Sequence, residues 1–315
     1  MCERLRHRGM IVGIIALALF MPACARQGPG AAVERIVAVG DVHGDYGQLV
    51  RALRAAQIID SENRWIAGKV RLVQTGDVLD RGPDSRKAMD LLMSLEVQAA
   101  RAGGAVHALI GNHEAMVLAG DWRYVHPGEE KAFGGAEAFR KAMGPEGRYG
   151  RWIRSHNAIV KINDILFVHA GLRADYLDRS LAEINETVRR ELREGVTTGL
   201  CWDERGPLWD RFLSLGDEEV VARELDAVLR RHGASRMVVA HTVETEGVTA
   251  RAGGRLLRID VGMSSYYGGP AACLVIENGD LYEVRHPDVK RKLNVKTPEP
   301  IPVPEPQPAA SRKAA

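Results

Sequence analysis

Short apolar runs alternate with longer stretches of helical spacing along most of the chain. Arg35-Ile36-Val37-Ala38-Val39 is the first run. Behind it, Leu49, Leu53 and Ile58 form an apolar stripe that predicts a helix over residues 45–56. Residues 70–74 predict a strand, 84–102 a helix with Met89, Leu92, Met93 and Leu95 inward, and 105–110 another strand. Residues 158–162 and 165–168 predict a hairpin across Asn163-Asp164. Helices follow over 181–194 and 218–231, then a strand over 236–240. The last part predicts antiparallel strands over 255–259, 272–277 and 281–284, with Asn278-Gly279 as the final turn. Strands alternating with helices predict an α/β architecture.

Polar residues interrupt this pattern in one recurring place, the end of a strand. The first run enters Gly40-Asp41-Val42-His43-Gly44-Asp45. The next enters Gly76-Asp77-Val78-Leu79-Asp80-Arg81-Gly82, and the third Gly111-Asn112-His113-Glu114. Ile165-Leu166-Phe167-Val168 enters His169-Ala170-Gly171, and Met237-Val238-Val239-Ala240 enters His241-Thr242. An unpaired buried carboxylate is costly, so such a group takes a strong partner, often a metal ion. Ligands in open α/β sheets bind at the carboxyl ends of strands. One such end alone says little; five together predict one shared site. Asp, His and Asn supply oxygen and nitrogen donors suited to Mn, Fe or Zn rather than to soft copper.

Composition adds bounds. The chain has 315 residues, 45% hydrophobic and 27% charged, with a net charge of +2. This is an ordinary globular balance. Basic residues are mixed with acids, as in Arg189-Arg190-Glu191-Leu192-Arg193-Glu194, so no nucleic-acid partner is expected. Of four cysteines, Cys201 and Cys273 fall within the folded body, either paired or as two buried thiols.

The two ends read differently from the body. Arg4, Arg6 and Arg8 precede an apolar stretch over residues 10–20. It is shorter than the roughly twenty residues of a membrane span and reads as a signal peptide over 1–23. Ala23-Cys24-Ala25 suits ordinary cleavage, whereas Met21-Pro22-Ala23-Cys24 resembles a bacterial lipobox with Cys24 as the lipidated residue. The lipobox is the favoured reading, although it lacks the usual Leu. It predicts a periplasmic, membrane-anchored protein with a flexible tether over 24–34. The folded body spans 35–296. Residues 297–315, with alternating prolines, predict an extended tail.

The motifs Gly-Asp-x-His-Gly, Gly-Asp-x-x-Asp-Arg-Gly and Gly-Asn-His-Glu, in this order, resemble those of the calcineurin-like metallophosphoesterases, phosphoprotein-phosphatase branch. Gly120-Asp121-Trp122-Arg123-Tyr124-Val125 and Gly206-Pro207-Leu208-Trp209-Asp210-Arg211 are similar to stretches of the Shewanella-like protein phosphatases. The resemblance implies a mixed β-sandwich flanked by helices, with a binuclear metal site at the strand ends. It implies that Asp41 and His43 hold one divalent or trivalent ion, that Asn112, His169 and His241 hold the second, and that Asp77 bridges them. It further implies in-line attack on phosphorus by a hydroxide between the metals, with His113 as general acid oriented by Asp80. Arg81 suits the phosphate oxygens through its planar fork, as does Asn112; Arg211 is carried over as a second phosphate arginine.

The expected substrate is a phosphorylated protein or peptide, with tyrosine and serine/threonine types both open. One alternative is a symmetrical dinucleoside-tetraphosphate hydrolase, which Gly82-Pro83-Asp84-Ser85 also resembles. The other is a non-catalytic envelope binding protein. Among the remaining histidines, His107 reads as core, His232 as a helix end before Gly233, and His126 as a loop residue that borders the substrate or merely shapes its loop. Trp122 and Tyr124 either wall a groove or pin the same loop.

Overall fold

The structure is a computed structural model that describes residues 32–295. The predicted leader, Cys24, most of the tether and the proline-rich tail lie outside the described residues. From the N-terminal side, β1 (Arg35–Val39) leads to α1 (Tyr46–Ala55), β2 (Arg71–Gln74), α2 (Ser85–Arg101) and β3 (Ala105–Ala108). Four short helices follow: α3 (Asn112–Leu118), α4 (Pro127–Phe133), α5 (Ala136–Met143) and α6 (Arg148–Arg154). Then come β4 (Ile159–Ile162), β5 (Ile165–Val168), α7 (Leu181–Glu194), α8 (Phe212–Leu215) and α9 (Glu218–His232). The chain closes through β6 (Arg236–Val239), β7 (Thr249–Arg251), β8 (Leu256–Arg258), β9 (Ala272–Glu277), β10 (Asp280–Arg285) and β11 (Val289–Lys292).

Two sheets result. One has the order β11-β10-β9-β1-β2-β3, the other β4-β5-β6-β8-β7. Each has a parallel part, β1-β2-β3 in the first and β5-β6-β8 in the second. Antiparallel strands flank these parts. Side-chain alternation sews the sheets together, because neighbouring residues of a strand face opposite ways. In β5, Phe167 joins the core shared with β1, β2 and β9, while Leu166 and Val168 pack with α7 and α9 on the other side. In β6, Val238 faces the first core and Met237 and Val239 the second.

The helices α4 to α6 carry no prediction from the sequence. They are seven or eight residues long and separated by Gly134-Gly135 and by residues 144–147, too short for a helical period to show. Edge-on contacts of Phe133 with Phe139 and Tyr149 hold them together. A second difference matters more. The strand expected over 255–259 is β8, which does not join β9 and β10. It pairs parallel with β6 and antiparallel with β7, so it belongs to the second sheet. Cys201 and Cys273 are free, buried thiols in different core clusters, and the paired reading is corrected. Among the described residues no helix is long and apolar enough to cross a membrane.

Candidate metal centre

All the parallel strands end at one place. β1 delivers Asp41 and His43, β2 Asp77 and Asp80, β3 Asn112 and His113, β5 His169 and β6 His241; each of these side chains is buried. The backbone bends sharply to present them. His43, Asp77, Asp80, Arg81 and His241 all have positive φ, between 45° and 70°, although none is glycine. Such conformations cost about 1–3 kcal/mol each and concentrate at functional sites. Where the first two loops cross, Gly44 lies against Gly82, and a Cβ on either would strike the other's backbone.

Backbone carbonyls set the tautomers. His43 Nδ1 donates to Leu79 O at 3.1 Å, and His169 Nδ1 donates to Thr75 O at 2.9 Å. Both rings therefore turn a proton-free Nε2 into the site. His43 Nε2 lies 3.8 Å from Asp41 Oδ2 and 3.8 Å from Asp77 Oδ2. His169 Nε2 lies 3.0 Å from Asn112 Oδ1, 3.1 Å from His241 Nδ1 and 3.4 Å from Asp77 Oδ2. Asp77 thus stands between two groups of donors. The trios His43–Asp77–His113 and Asp77–His169–His241 each keep their ligand atoms within 4.8 Å.

These contacts set acceptor against acceptor, with no proton to share between His169 Nε2 and Asn112 Oδ1. Burial holds the His43, His169 and His241 rings below their usual pKa. The carboxyls move the other way: Asp41 is raised by burial and then by the charges of Asp260 and Asp77. Lone pairs crowded together, imidazoles that refuse protons and carboxyls that repel one another all call for bound cations. The residues present fit a pair of metal ions of the type that Asp, Asn and His prefer.

His113 is different. Its Nδ1 meets Asp80 Oδ2 at 2.6 Å, its ring stands edge-on to His43, and its Nε2 faces Asp77 Oδ2 at 3.9 Å. Burial opposes its protonation, but Asp77 and Asp80 together outweigh that, so its pKa rises above the usual value. At the mouth, the Arg81 guanidinium is caged by Tyr124, Tyr266 and Tyr267, at 4.8, 4.8 and 5.5 Å from the ring centroids. Tyr124 and Tyr266 remain 40% and 62% exposed, so this rim is open to a ligand. Arg211 donates to His241 O at 2.9 Å and to Thr242 Oγ1 at 3.4 Å, which places it beside the centre. His126 caps α4 by accepting from Gly128 N, and so serves its loop. Trp122 donates to Val117 O and lies under Arg140, which pins that loop.

Sequence reasoning missed two carboxylates. Asp260 lies two residues beyond β8, the strand assigned to the wrong sheet, and stands buried behind Asp41 with Oδ2 unpartnered. Its signal was present in Leu256-Leu257-Arg258-Ile259-Asp260-Val261-Gly262, another apolar run that ends in an acid before glycine. Glu114 was seen only as part of a motif. It accepts the N–H groups of Asp77, Val78, Leu79 and Gly111 at 2.7–3.3 Å and so clamps the loop after β2 onto α3.

A two-sheet α/β body with paired carboxylate–imidazole donor groups at its parallel strand ends defines a metal-dependent phosphoesterase. Residues 34–244 match the family model of the calcineurin-like phosphoesterases, and the chain belongs to that family. It is 31% identical to Shewanella-like protein phosphatase 2 of Arabidopsis thaliana, over 73% of this chain and 72% of the relative. It is 36% identical to an uncharacterized protein of Schizosaccharomyces pombe, over 78% of each chain. The crystal structure of a cold-active protein-tyrosine phosphatase of a psychrophilic Shewanella superposes with a TM-score of 0.76 at 31% identity, covering 83% of this chain and 81% of that one. The family uses a dimetal centre, and the chain is a phosphoester hydrolase.

Proposed function

We propose that the enzyme is a protein phosphatase that hydrolyses phosphomonoesters on proteins or peptides, with phosphotyrosyl side chains among its substrates. The observation that carries this is the His113–Asp80 pair set beside two converging donor groups and under a tyrosine-lined rim. The named phosphatases among its relatives support the same reading. Asp41, His43 and Asp77 would hold one metal, and Asp77, Asn112, His169 and His241 the other, with Mn, Fe or Zn as the ions. When bound, the metal pair supplies positive charge for the phosphoryl oxygens and an activated water.

The chain's own groups do the rest. Arg81 projects from the loop after β2 and meets phosphate oxygens with its planar fork. Arg211 adds positive charge from the β6 side. His113 presents Nε2 to the leaving oxygen and protonates it, while Asp80 holds Nδ1 and fixes the ring. Tyr124 and Tyr266 offer aromatic faces to an aryl leaving group. Serine and threonine phosphates lack that stacking partner, so turnover of phosphotyrosyl peptides should exceed theirs.

The test uses the purified full chain with Mn added. Phosphotyrosyl, phosphoseryl and phosphothreonyl peptides, p-nitrophenyl phosphate and diadenosine tetraphosphate are compared by release of phosphate or nucleotide. Preferred turnover of the tetraphosphate would replace this reading by the dinucleotide one. No metal-dependent hydrolysis of any of them would leave only a binding role. From the N-terminal segment alone, we further propose export and lipidation at Cys24. An intact mass of the membrane-extracted protein without added lipid would remove the anchor.

A further inference from the structure

The strongest observation outside this mechanism lies beneath Asp80. Glu129, in the first turn of α4, has no exposed surface, and neither carboxyl oxygen has a hydrogen-bond partner. Its neighbour Asp80 is equally buried: Oδ2 is taken by His113, and Oδ1 is unpartnered. The Ser85 hydroxyl, at the start of α2, and the Asp80 backbone N–H lie beside the Glu129 carboxyl and counter part of the effect of burial, but neither meets it in hydrogen-bond geometry. Glu114 on α3 adds a further negative charge nearby. No basic side chain reaches ion-pair distance of Glu129 among the described residues, and Arg86 is turned to Ala132 O. Burial beside a second carboxyl, with no cation at ion-pair distance, favours the protonated form of Glu129.

We propose that Glu129 is a positioning residue of the reaction: it stays protonated and donates its hydroxyl hydrogen towards the free oxygen of Asp80. Asp80 then has one oxygen held by Glu129 and the other by His113. That fixes the plane of the carboxylate and, through it, the imidazole that protonates the leaving oxygen. The chain of contact runs from α4 through the loop after β2 to α3, which joins three elements that approach only in the folded state. Burial, and then the charge of Asp80, push the Glu129 carboxyl up to about 8, so it holds its proton at neutral pH. This role rests on the phosphatase reading for its kinetic consequence but not for the proton itself.

The test compares wild type, E129Q and E129L in the metal-loaded full chain. Infrared difference spectra against E129Q should show a protonated carboxylic-acid band in the wild type at pH 7, fading as pH passes about 8. This readout needs no substrate, so it stands even if the proposed substrates fail. With p-nitrophenyl phosphate, E129L should lose kcat by about tenfold with KM and metal content unchanged, as expected of an orienting partner. E129Q, which donates through its amide at every pH, should restore most of that loss. The wild-type kcat should bend down near pH 8, and E129Q should move the bend to higher pH. An absent acid band, or the same alkaline bend in wild type and E129Q, would overturn the proposal. Should E129L fail to fold, the band and the E129Q profile still decide it.

Discussion

Glu283 and Asp260 are both buried carboxylates, and the protein treats them in opposite ways. Glu283 sits on β10, in the antiparallel margin of the first sheet, 1% exposed. Arg285 and Arg291 reach its two oxygens at 2.9 and 2.7 Å, and Val248 N donates a third bond at 2.9 Å. Burial alone would raise its pKa, but these partners hold it below the usual value. Asp260 follows the parallel strand β8 by two residues, keeps one oxygen without a partner, and is pushed up to about 6 by burial and by Asp77. The margin satisfies its buried charge within the chain. The strand ends crowd carboxyl against carboxyl, Asp260 against Asp41, an arrangement that a bound cation satisfies. That difference separates a structural carboxylate from a functional one better than burial does.

The harshest way to break the comparison is to take away the metal ions that the strand-end groups would hold. Chelation should take phosphatase activity to background, and added Mn should restore it; activity that survives dialysis against chelator would contradict a metal role for these groups. Asp77→Asn should have the same effect without chelator, because both donor groups share that carboxylate. Metal content of the purified variant, measured directly, should fall with it.

The next largest effect isolates proton transfer from metal binding. His113→Asn should keep bound metal and lose kcat by about 10²–10⁴-fold, the range of general acid–base groups. A loss smaller than tenfold would remove His113 from the acid role. Asp260→Asn sharpens the same boundary from the other side. It should weaken metal affinity by about 10–100-fold, as loss of a residue behind a ligand does. The metal-free variant should melt no lower than the wild type, since a repelling charge has gone. A lower melting temperature would place Asp260 with Glu283 as a structural group.

The parallel strand ends were legible in sequence because apolar runs that stop at Asp, Asn or His break the normal link between burial and apolarity. Asp41, His43, Asp77, Asn112, His113, His169 and His241 were found that way, and the structure brings all seven together. Arg81 and Arg211 also fall beside the centre. What stayed hidden depends on pairing across the chain. β8 looks like its antiparallel neighbours in sequence, so Asp260 was not connected to the site. Glu129 lies in a seven-residue helix with no visible period. Tyr266 and Tyr267 come from a loop whose approach to Arg81 no local pattern announces.

The smallest expected effect tests the satisfied half of the comparison. Glu283→Gln keeps the size of the side chain but removes the charge that faces Arg285 and Arg291. Both arginines are partly exposed, at 32% and 56% of their side chains, so solvent screens the pair and the loss should be about 1–2 kcal/mol. Metal-loaded kcat should not change. The sign with pH follows from a folded-state pKa below the usual 4.5. Above about pH 4.5 the unfolded and folded chains both carry the charge, and the contribution is complete. As pH falls below that value the unfolded chain takes up the proton first, and the stability gap between wild type and E283Q should close through the lower folded-state pKa. Urea unfolding of both proteins at pH 7 and at acid pH measures that gap. If it widens on acidification, Glu283 is as poorly satisfied as Asp260, and the contrast between margin and strand ends fails.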